Sequence, residues 1–231
     1  MGKTIIVIPA YNEEETIAKL IERSKKYADI CIVNDGSTDR TSEIVRSYKS
    51  VIQIRHNKNM HIPQTIRDGM IYAYRNNYDY VITMDAGLSH LPEELPLFIK
   101  HSHCDMLVGC RKLIIDVPLH RRIISKIGTF FINMAISNFS YKSFSGLFFK
   151  DITSGYRRYS KKAIELLLSN KMHASSFDFH SEAFMLVFRN RLSIREIPIT
   201  YIFTNSSLSL KVIMDSLRML FNMFFFRKKW R

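Results

Sequence analysis

The chain has 231 residues, with 34 Lys and Arg against 21 Asp and Glu, which gives a net charge of +13. This length is sufficient for one α/β domain with a short extension, and it excludes two domains of equal size. The positive charge predicts anionic partners such as phosphates or anionic lipid. Three cysteines without a regular spacing predict reduced thiols and exclude a disulfide framework.

The pattern of apolar and basic residues excludes further classes. The first apolar run, residues 4–8, is too short for the core of a signal peptide. No run approaches the roughly 20 apolar residues that span a bilayer, so we expect a peripheral protein on the cytoplasmic side of a membrane. A nucleic-acid binder is also disfavoured, because the basic residues do not alternate with aromatic residues along a sheet or a recognition helix.

In the first half of the chain, short segments rich in β-branched residues alternate with segments of helical period. Alternation of this kind is typical of βαβ units and predicts a Rossmann-like, mainly parallel sheet flanked by helices. Ligands of such sheets bind beyond the carboxyl ends of the strands. The predicted strands are residues 4–8, 30–33, 51–54 and 80–84, and the predicted helices are residues 13–27, 41–48 and 64–76.

Polar residues at the ends of these strands are the first candidates for a site. Asp85 follows the strand 80–84 directly and begins a turn of small residues. A carboxylate in this position is suited to hold a divalent ion against a phosphate group. Asn12 and Asp39 are predicted to cap the two helices that follow the first and second strands.

The second half of the chain has a different pattern. Residues 119–139 predict an amphipathic helix with a basic face, which either packs on the domain or faces a membrane or an acceptor. Further helices are predicted from Lys161 and over residues 179–190. An edge strand is predicted over residues 193–197, ended by Pro198.

The last segment predicts a second unit, residues 208–231, after a domain of residues 1–207. Residues 208–226 have the period of a helix with one narrow polar stripe, and basic residues around Trp230 follow. A broad apolar face that ends in basic and aromatic residues favours a bilayer interface. The alternatives are packing on its own domain, contact with a second copy in a homo-oligomer, and contact with a membrane partner subunit.

Taken together, the strand-end motifs resemble those of family 2 glycosyltransferases of the GT-A fold. They are most similar to the dolichyl-phosphate mannose synthase group, which transfers a hexose from a nucleotide diphosphate to a polyprenyl phosphate. The resemblance covers nearly the whole chain, and four motifs in order are a specific signal where one alone is weak. The motifs are Pro-Ala-Tyr-Asn-Glu at 9–13, Val-Asn-Asp-Gly-Ser-Thr-Asp at 33–39, Met-Asp-Ala-Gly-Leu-Ser-His at 84–90 and Asp-Ile-Thr-Ser-Gly-Tyr-Arg at 151–157.

The resemblance implies a nucleotide diphosphate sugar, either a GDP-hexose or a UDP-hexose, as the donor. It also implies Mg²⁺ or Mn²⁺ bound by Asp85, with Ser89 as a second ligand. Gly87 stands where the family usually has a second Asp, so we expect a weakened metal site. The family's glycines before the third helix are missing, although Arg67 is retained. The implied nucleotide-binding residues are Pro9, Tyr11, Glu13, Asp35, Arg67, Asp85 and Ala86.

A polyprenyl phosphate acceptor explains why no catalytic base stands out. Its oxygen is already an anion at neutral pH, so it needs cations that position it and no proton acceptor. Direct displacement by this oxygen would invert the anomeric carbon. The resemblance implies Asp85, Arg111 and Arg157 as catalytic residues. The implied acceptor-binding residues are Arg122, Ser125, Thr153, Ser154 and Arg157.

Two other functions are compatible with the same residues. A family 2 transferase that acts on a saccharide or lipid hydroxyl would need a general base, for which Glu182, Asp151 and Asp178 are the candidates. A non-catalytic subunit that binds a nucleotide sugar and supports a membrane complex would explain Gly87 in place of an acid.

Overall fold

The computed structural model describes residues 2–136, 149–176 and 178–203. Within these ranges a mainly parallel sheet is flanked by helices. The strands are β1 Thr4–Ala10, β2 Asp29–Asn34, β3 Val51–Arg55, β4 Tyr80–Thr83, β5 Met106–Ile115, β6 Arg157–Ser160 and β7 Ile194–Ile202. The helices are α1 Ile17–Ser24, α2 Thr41–Ser47, α3 His61–Arg75, α4 Leu95–Ile99, α5 Leu119–Ile136, α6 Lys161–Ser169 and α7 Phe179–Arg189, with a 3₁₀ turn at Pro92–Glu94.

The strand order in the sheet is β3-β2-β1-β4-β6-β5-β7. The first four strands are parallel, as the alternating pattern predicts, and β5 is parallel to β7. Strand β6 lies between β4 and β5 and is antiparallel to both. Because β6 is reversed, the loop that leads into it lies at the same edge of the sheet as the carboxyl end of β4.

Both faces of the sheet are buried by apolar side chains. Ile5, Val7 and Val33 face helix α3 in one core cluster, while Ile6 and Ile8 belong to a second cluster on the opposite face. Helix α3 packs closely because Gly69 has no side chain, and a Cβ added there would lie 2.3 Å from Cγ1 of Val7. This packing fixes the sheet edge where the site residues lie.

The structure corrects three predictions about individual elements. Asn12 does not cap α1, because its backbone has a φ of 54° and the helix starts five residues later, at Ile17. Strand β6 was not predicted, since Arg157 and Arg158 in it are charged residues that are usually exposed. Strand β7 continues through Pro198, and a proline is tolerated there because β7 is at the edge of the described sheet.

The predicted amphipathic helix is present as α5 over Leu119–Ile136, and the predicted tail at 208–226 lies outside the described residues. None of the described helices combines the length and apolar character needed to cross a membrane.

Candidate functional site

Asp85 lies just beyond the carboxyl end of β4, at the centre of the sheet edge. Its side chain is 37% exposed, and no Lys or Arg among the described residues forms an ion pair with it. Burial raises the pKa of the Glu13 carboxyl, and the nearby negative charge of Asp85 also raises it. An accessible carboxylate without a cationic partner can take a divalent ion.

The buried side chain of His90 contacts Asp85, and Gly155 lies between Asp85 and a second buried histidine, His180. The Asp85 backbone N–H donates to Nδ1 of His90 at 3.3 Å, and burial lowers the pKa of His90, which keeps the ring neutral. A Cβ added at Gly155 would lie 3.2 Å from Oδ1 of Asp85 and 3.0 Å from Nε2 of His180. The hydroxyl of Thr83 donates to the Gly155 carbonyl at 2.7 Å. The structure therefore brings the predicted metal acid and the predicted acceptor segment into contact.

The loops after β1 and β2 form the neighbouring part of the edge. Asn12 N–H donates to the Ser37 hydroxyl at 3.0 Å, and Glu13 N–H donates to the Thr41 hydroxyl at 2.8 Å. Asp35 is buried, with its backbone N–H donating to the Ala10 carbonyl at 2.8 Å. These bonds fix the two loops against each other.

The other predicted nucleotide residues of this edge surround the same space. Pro9 is the sixth residue of β1, Ala86 is buried next to Asp85, and the Tyr11 side chain is exposed. The loops and Asp85 together form a polar surface beyond β1, β2 and β4, where the fold class predicts a ligand.

Arg111 on β5 organises the acceptor side. Its guanidinium donates to both oxygens of Asp151, at 2.6 and 2.7 Å, and to the hydroxyls of Ser125 and Thr153 at 2.9 and 2.6 Å. Burial acts to raise the pKa of Asp151, but the Arg111 charge and its hydrogen bonds lower it overall. Arg111 thus joins strand β5, helix α5 and the loop before β6. Arg122 lies exposed on the same helix.

Two predicted site residues, Arg157 and Ser154, lie inside the protein, and a third, Arg67, is half-buried. Arg157 is fully buried, and its guanidinium donates to the backbone carbonyls of Ser154, His180 and Ile152. Ser154 is also buried. Arg67 donates to the carbonyls of Leu167 and Leu168 at the end of α6. In this structure the Arg157 guanidinium is occupied by three buried carbonyls, so direct contact of Arg157 with the acceptor stays a prediction that this geometry does not favour.

The described residues place few possible metal ligands around Asp85. Ser89 is buried, and its carbonyl accepts a hydrogen bond from Ile202 N–H. In the described part of the chain, no group of three or more His, Cys, Asp or Glu side chains could hold a metal ion. The weakened metal site at Asp85 therefore stays a prediction.

A second acid at position 87 should strengthen metal binding. Among the described glycines only Gly36 has a positive φ, so the backbone at Gly87 accepts a side chain without strain. We expect Gly87→Asp to tighten Mn²⁺ binding about tenfold in the presence of a nucleotide diphosphate, because one more carboxylate enters the coordination shell. Calorimetric titration measures this affinity, and Gly87→Asn is the control of equal size. Equal affinity of both variants would show that the Asp side chain does not reach the ion.

Glu182 on α7 is a buried acid and one of the three candidate bases for a hydroxyl acceptor. Its carboxylate accepts hydrogen bonds from the backbone N–H groups of His173 and Ala174, at 2.8 and 2.6 Å. Burial raises the pKa of Glu182 to about 7. The folded protein therefore holds this proton more tightly than the unfolded chain does.

This shift predicts a pH dependence of stability. The contribution of Glu182 is complete below the unfolded pKa and is lost as the pH rises through about 7. We expect Glu182→Gln to flatten the fall in the free energy of unfolding between about pH 4.5 and 7.5. Urea unfolding across this range measures the slope, with Glu165→Gln at an exposed position of α6 as the control. A slope unchanged from the parent protein would assign the dependence to other groups.

Several known proteins are similar in sequence to this chain over most of its length. The chain is 28% identical to UDP-N-acetylglucosamine–dolichyl-phosphate N-acetylglucosaminyltransferase of Methanococcus voltae, over 88% of this chain and 87% of that protein. It is 26% identical to polyprenol monophosphomannose synthase of Mycolicibacterium smegmatis, over 86% and 77% of the two chains. It is 25% identical to undecaprenyl-phosphate mannosyltransferase of Micrococcus luteus, over 87% and 84%.

Among solved structures, glucosyl-3-phosphoglycerate synthase of Mycobacterium tuberculosis, in complex with Mn²⁺, UDP and glucosyl-3-phosphoglycerate, matches with a TM-score of 0.73. The match covers 98% of this chain and 80% of that one at 14% identity, so it establishes the fold alone. Residues 5–167 match the family described as glycosyl transferase family 2. With the predicted motifs gathered at one edge of a GT-A sheet, the chain belongs to glycosyl transferase family 2.

Proposed function

We propose that this protein transfers a hexose from a nucleotide diphosphate sugar to a polyprenyl phosphate at a membrane surface, with inversion of the anomeric carbon. The observation that carries the proposal is the contact between Asp85 and Gly155. It joins the acid beyond β4 to the loop before β6, so a donor and an acceptor bound at these two places would meet. The names of three relatives, each a transferase to a dolichyl, undecaprenyl or polyprenol carrier, support this acceptor.

The loops after β1 and β2 offer the groups that would bind the nucleobase of the donor. Asp35 offers a carboxylate oxygen, which can accept a hydrogen bond from the ring N–H of uracil or of guanine. Both GDP-hexoses and UDP-hexoses therefore fit this residue. Tyr11, exposed at the same edge, offers an aromatic face for the base.

The residues at the diphosphate fit a divalent ion. Asp85 would hold Mg²⁺ or Mn²⁺ together with phosphate oxygens, and the ion would stabilise the charge that develops on the leaving diphosphate. Asp85 has no cation of its own in the described residues, which supports this role. With Gly87 in the place of a second acid, the ion depends on the nucleotide for most of its ligands.

On the acceptor side, Arg111 is the residue best placed to orient a phosphate. Its Nε and Nη2 are engaged by Asp151, Thr153 and Ser125, while Nη1 donates no hydrogen bond within the described residues. A guanidinium fixed in this way is pre-organised for an anion. Exposed Arg122 on α5 adds positive charge on the same side.

Transfer to a neutral hydroxyl is the second candidate, and the state of the three candidate bases disfavours it. Asp151 is paired with Arg111, and Glu182 accepts two backbone hydrogen bonds. Asp178 is buried and accepts a hydrogen bond from Ser176 N–H at 2.7 Å. A phosphate acceptor needs no base, so this arrangement suits it better.

Helix α5 supports a peripheral position on the membrane. Its outer face exposes several large apolar side chains, and basic residues lie beside them. Each such side chain buried in the interface would contribute about 1.5–3 kcal/mol, and each basic residue about 1 kcal/mol near anionic lipid. The apolar residues are Leu119, Ile123, Ile127, Phe130 and Phe131, and the basic ones are Arg122 and Lys126.

The membrane proposal predicts a result for flotation of the full chain with vesicles of phosphatidylcholine and phosphatidylglycerol. We expect Ile123→Ser combined with Ile127→Ser to reduce the floating fraction, because apolar area leaves the interface. Leu97→Ser, at a similarly exposed position on α4, is the control. Equal flotation of all proteins would assign membrane binding to another segment, such as residues 208–226, or would show that there is none.

The activity itself is tested with a panel of GDP-hexoses and UDP-hexoses, Mn²⁺ and a short polyprenyl phosphate. We expect a glycolipid of polyprenyl phosphate plus one hexose by mass spectrometry, with an inverted anomeric configuration by NMR. A free alcohol or saccharide in place of the polyprenyl phosphate is the comparison. Product only with a hydroxyl acceptor would support the second candidate, and no product with any acceptor would support a binding subunit.

A further inference from the structure

A histidine lies between two carboxylates directly behind the proposed nucleobase site. Nδ1 of His56 is 2.7 Å from Oδ1 of Asp35, and its Nε2 is 3.0 Å from Oδ2 of Asp68. The His56 side chain is only 11% exposed. Asp68 is held in turn by Gln64, whose amide donates to both carboxylate oxygens at 3.0 Å. The four side chains form one continuous chain from helix α3 to the end of β2.

This chain fixes the orientation of the Asp35 carboxylate. Oδ1 also accepts a hydrogen bond from Met60 N–H at 2.7 Å. Since both bonds end on Oδ1, the other oxygen, Oδ2, receives no hydrogen bond in the described part of the chain.

The backbone around Asp35 leaves little freedom for another arrangement. Gly36 has a φ of 74°, and a Cβ there would lie 2.6 Å from the backbone carbonyl carbon of Lys58. His56 N–H donates to the Asn34 carbonyl at 2.9 Å, which ties the segment after β3 to the end of β2. An open surface groove lined by Ser37, Arg40 and Asn57 among others adjoins this turn.

We propose that His56 is a positioning residue for nucleotide recognition, which directs Oδ2 of Asp35 toward a ring N–H of the base, and that Asp68 and Gln64 hold His56 in place. The inference rests on the proposed function, since it concerns how the donor is bound. Neither His56 nor Asp68 touches the nucleotide in this arrangement. Both act through the Asp35 carboxylate, and this separates them from residues that bind the diphosphate.

Calorimetric binding of UDP and of GDP in the presence of Mn²⁺ tests the proposal. We expect His56→Gln and Asp68→Asn to weaken binding of the preferred nucleotide about tenfold, which corresponds to 1.4 kcal/mol. His56→Asn should bind more tightly than His56→Gln, because its amide nitrogen can take the place of Nδ1 and still donate to Asp35. Asp79→Asn, at the opposite edge of the sheet, is the control, since its carboxylate accepts from Lys3 N–H far from the site.

A double-mutant cycle separates positioning from a general loss of structure. If His56 acts through Asp35, His56→Gln should cost almost nothing further in the Asp35→Asn background. Additive losses would overturn the proposal, and so would unchanged binding in His56→Gln. If the His56 variants do not fold, the cycle of Asp68→Asn with Asp35→Asn gives the same decision, because Asp68 is more exposed. Failure of the parent protein to bind either nucleotide would overturn both this inference and the proposed function.

Discussion

Asp85→Asn is expected to lower turnover by about a hundredfold or more, because it removes the charge that faces the developing negative charge of the leaving group. The amide keeps the size of the side chain and its place beside Gly155. Asp85 is partly exposed and makes no ion pair with Lys or Arg in the described residues, so the free energy of unfolding should change by at most about 0.5 kcal/mol. Steady-state turnover with saturating donor, together with urea unfolding, measures both quantities.

Asp116→Asn is a matched control for this result. Asp116 is an exposed acid that also follows a strand directly, and its φ of 58° is tolerated by Asn. We expect it to retain the turnover of the parent protein. Parent-like turnover in Asp85→Asn would remove this residue from the mechanism, and a large loss of stability would show that it has a structural role.

Arg111→Met is expected to destabilise the fold by about 3 kcal/mol and to abolish acceptor binding. The Asp151 side chain is only 8% exposed, and without Arg111 its charge would be buried without a partner. The same change would release Ser125 and Thr153, so the link between α5 and the loop before β6 would be lost. Urea unfolding gives the first effect, and the KM for polyprenyl phosphate gives the second.

Two further variants decide how this loss arises. Adding Asp151→Asn to Arg111→Met removes the unpaired charge, so part of the stability should return while acceptor binding stays lost. Arg40→Met breaks an exposed ion pair with Glu14 and should cost at most about 0.5 kcal/mol. If Arg111→Met lost no more stability than Arg40→Met, the buried pair of Arg111 and Asp151 would not stabilise the site.

The sequence was sufficient to predict the parallel part of the sheet. Alternation of β-branched and helical segments identified β1 to β4, and their order along the chain placed Asp35 and Asp85 at one edge. Local pattern carries this information because β1, β2 and β4 are largely buried on both faces and a helix follows each of the first three strands. The pattern therefore predicts the sheet edge where the candidate site lies, whereas the class of donor is what the resemblance of the motifs implies.

The partners of the site residues could not be predicted in the same way. Arg157 resembles a phosphate ligand in sequence, yet its guanidinium serves three carbonyls inside the protein. His56 belongs to no motif, and its two acids, Asp35 and Asp68, are 21 and 12 residues away. Such pairings depend on how the elements pack in three dimensions, which periodicity along the chain does not encode.

Because strand β6 is reversed, two separate segments of the chain carry the residues proposed for the two substrates. Everything proposed for the nucleotide lies between β1 and the turn at Asp85, whereas the residues proposed for the lipid phosphate lie on β5 and after it. At the site the two stretches meet where Gly155 lies beside the Asp85 carboxylate and accepts a hydrogen bond from the Thr83 hydroxyl. Substitutions in the second stretch can therefore change which acceptor binds without weakening donor binding, provided that position 155 stays without a side chain.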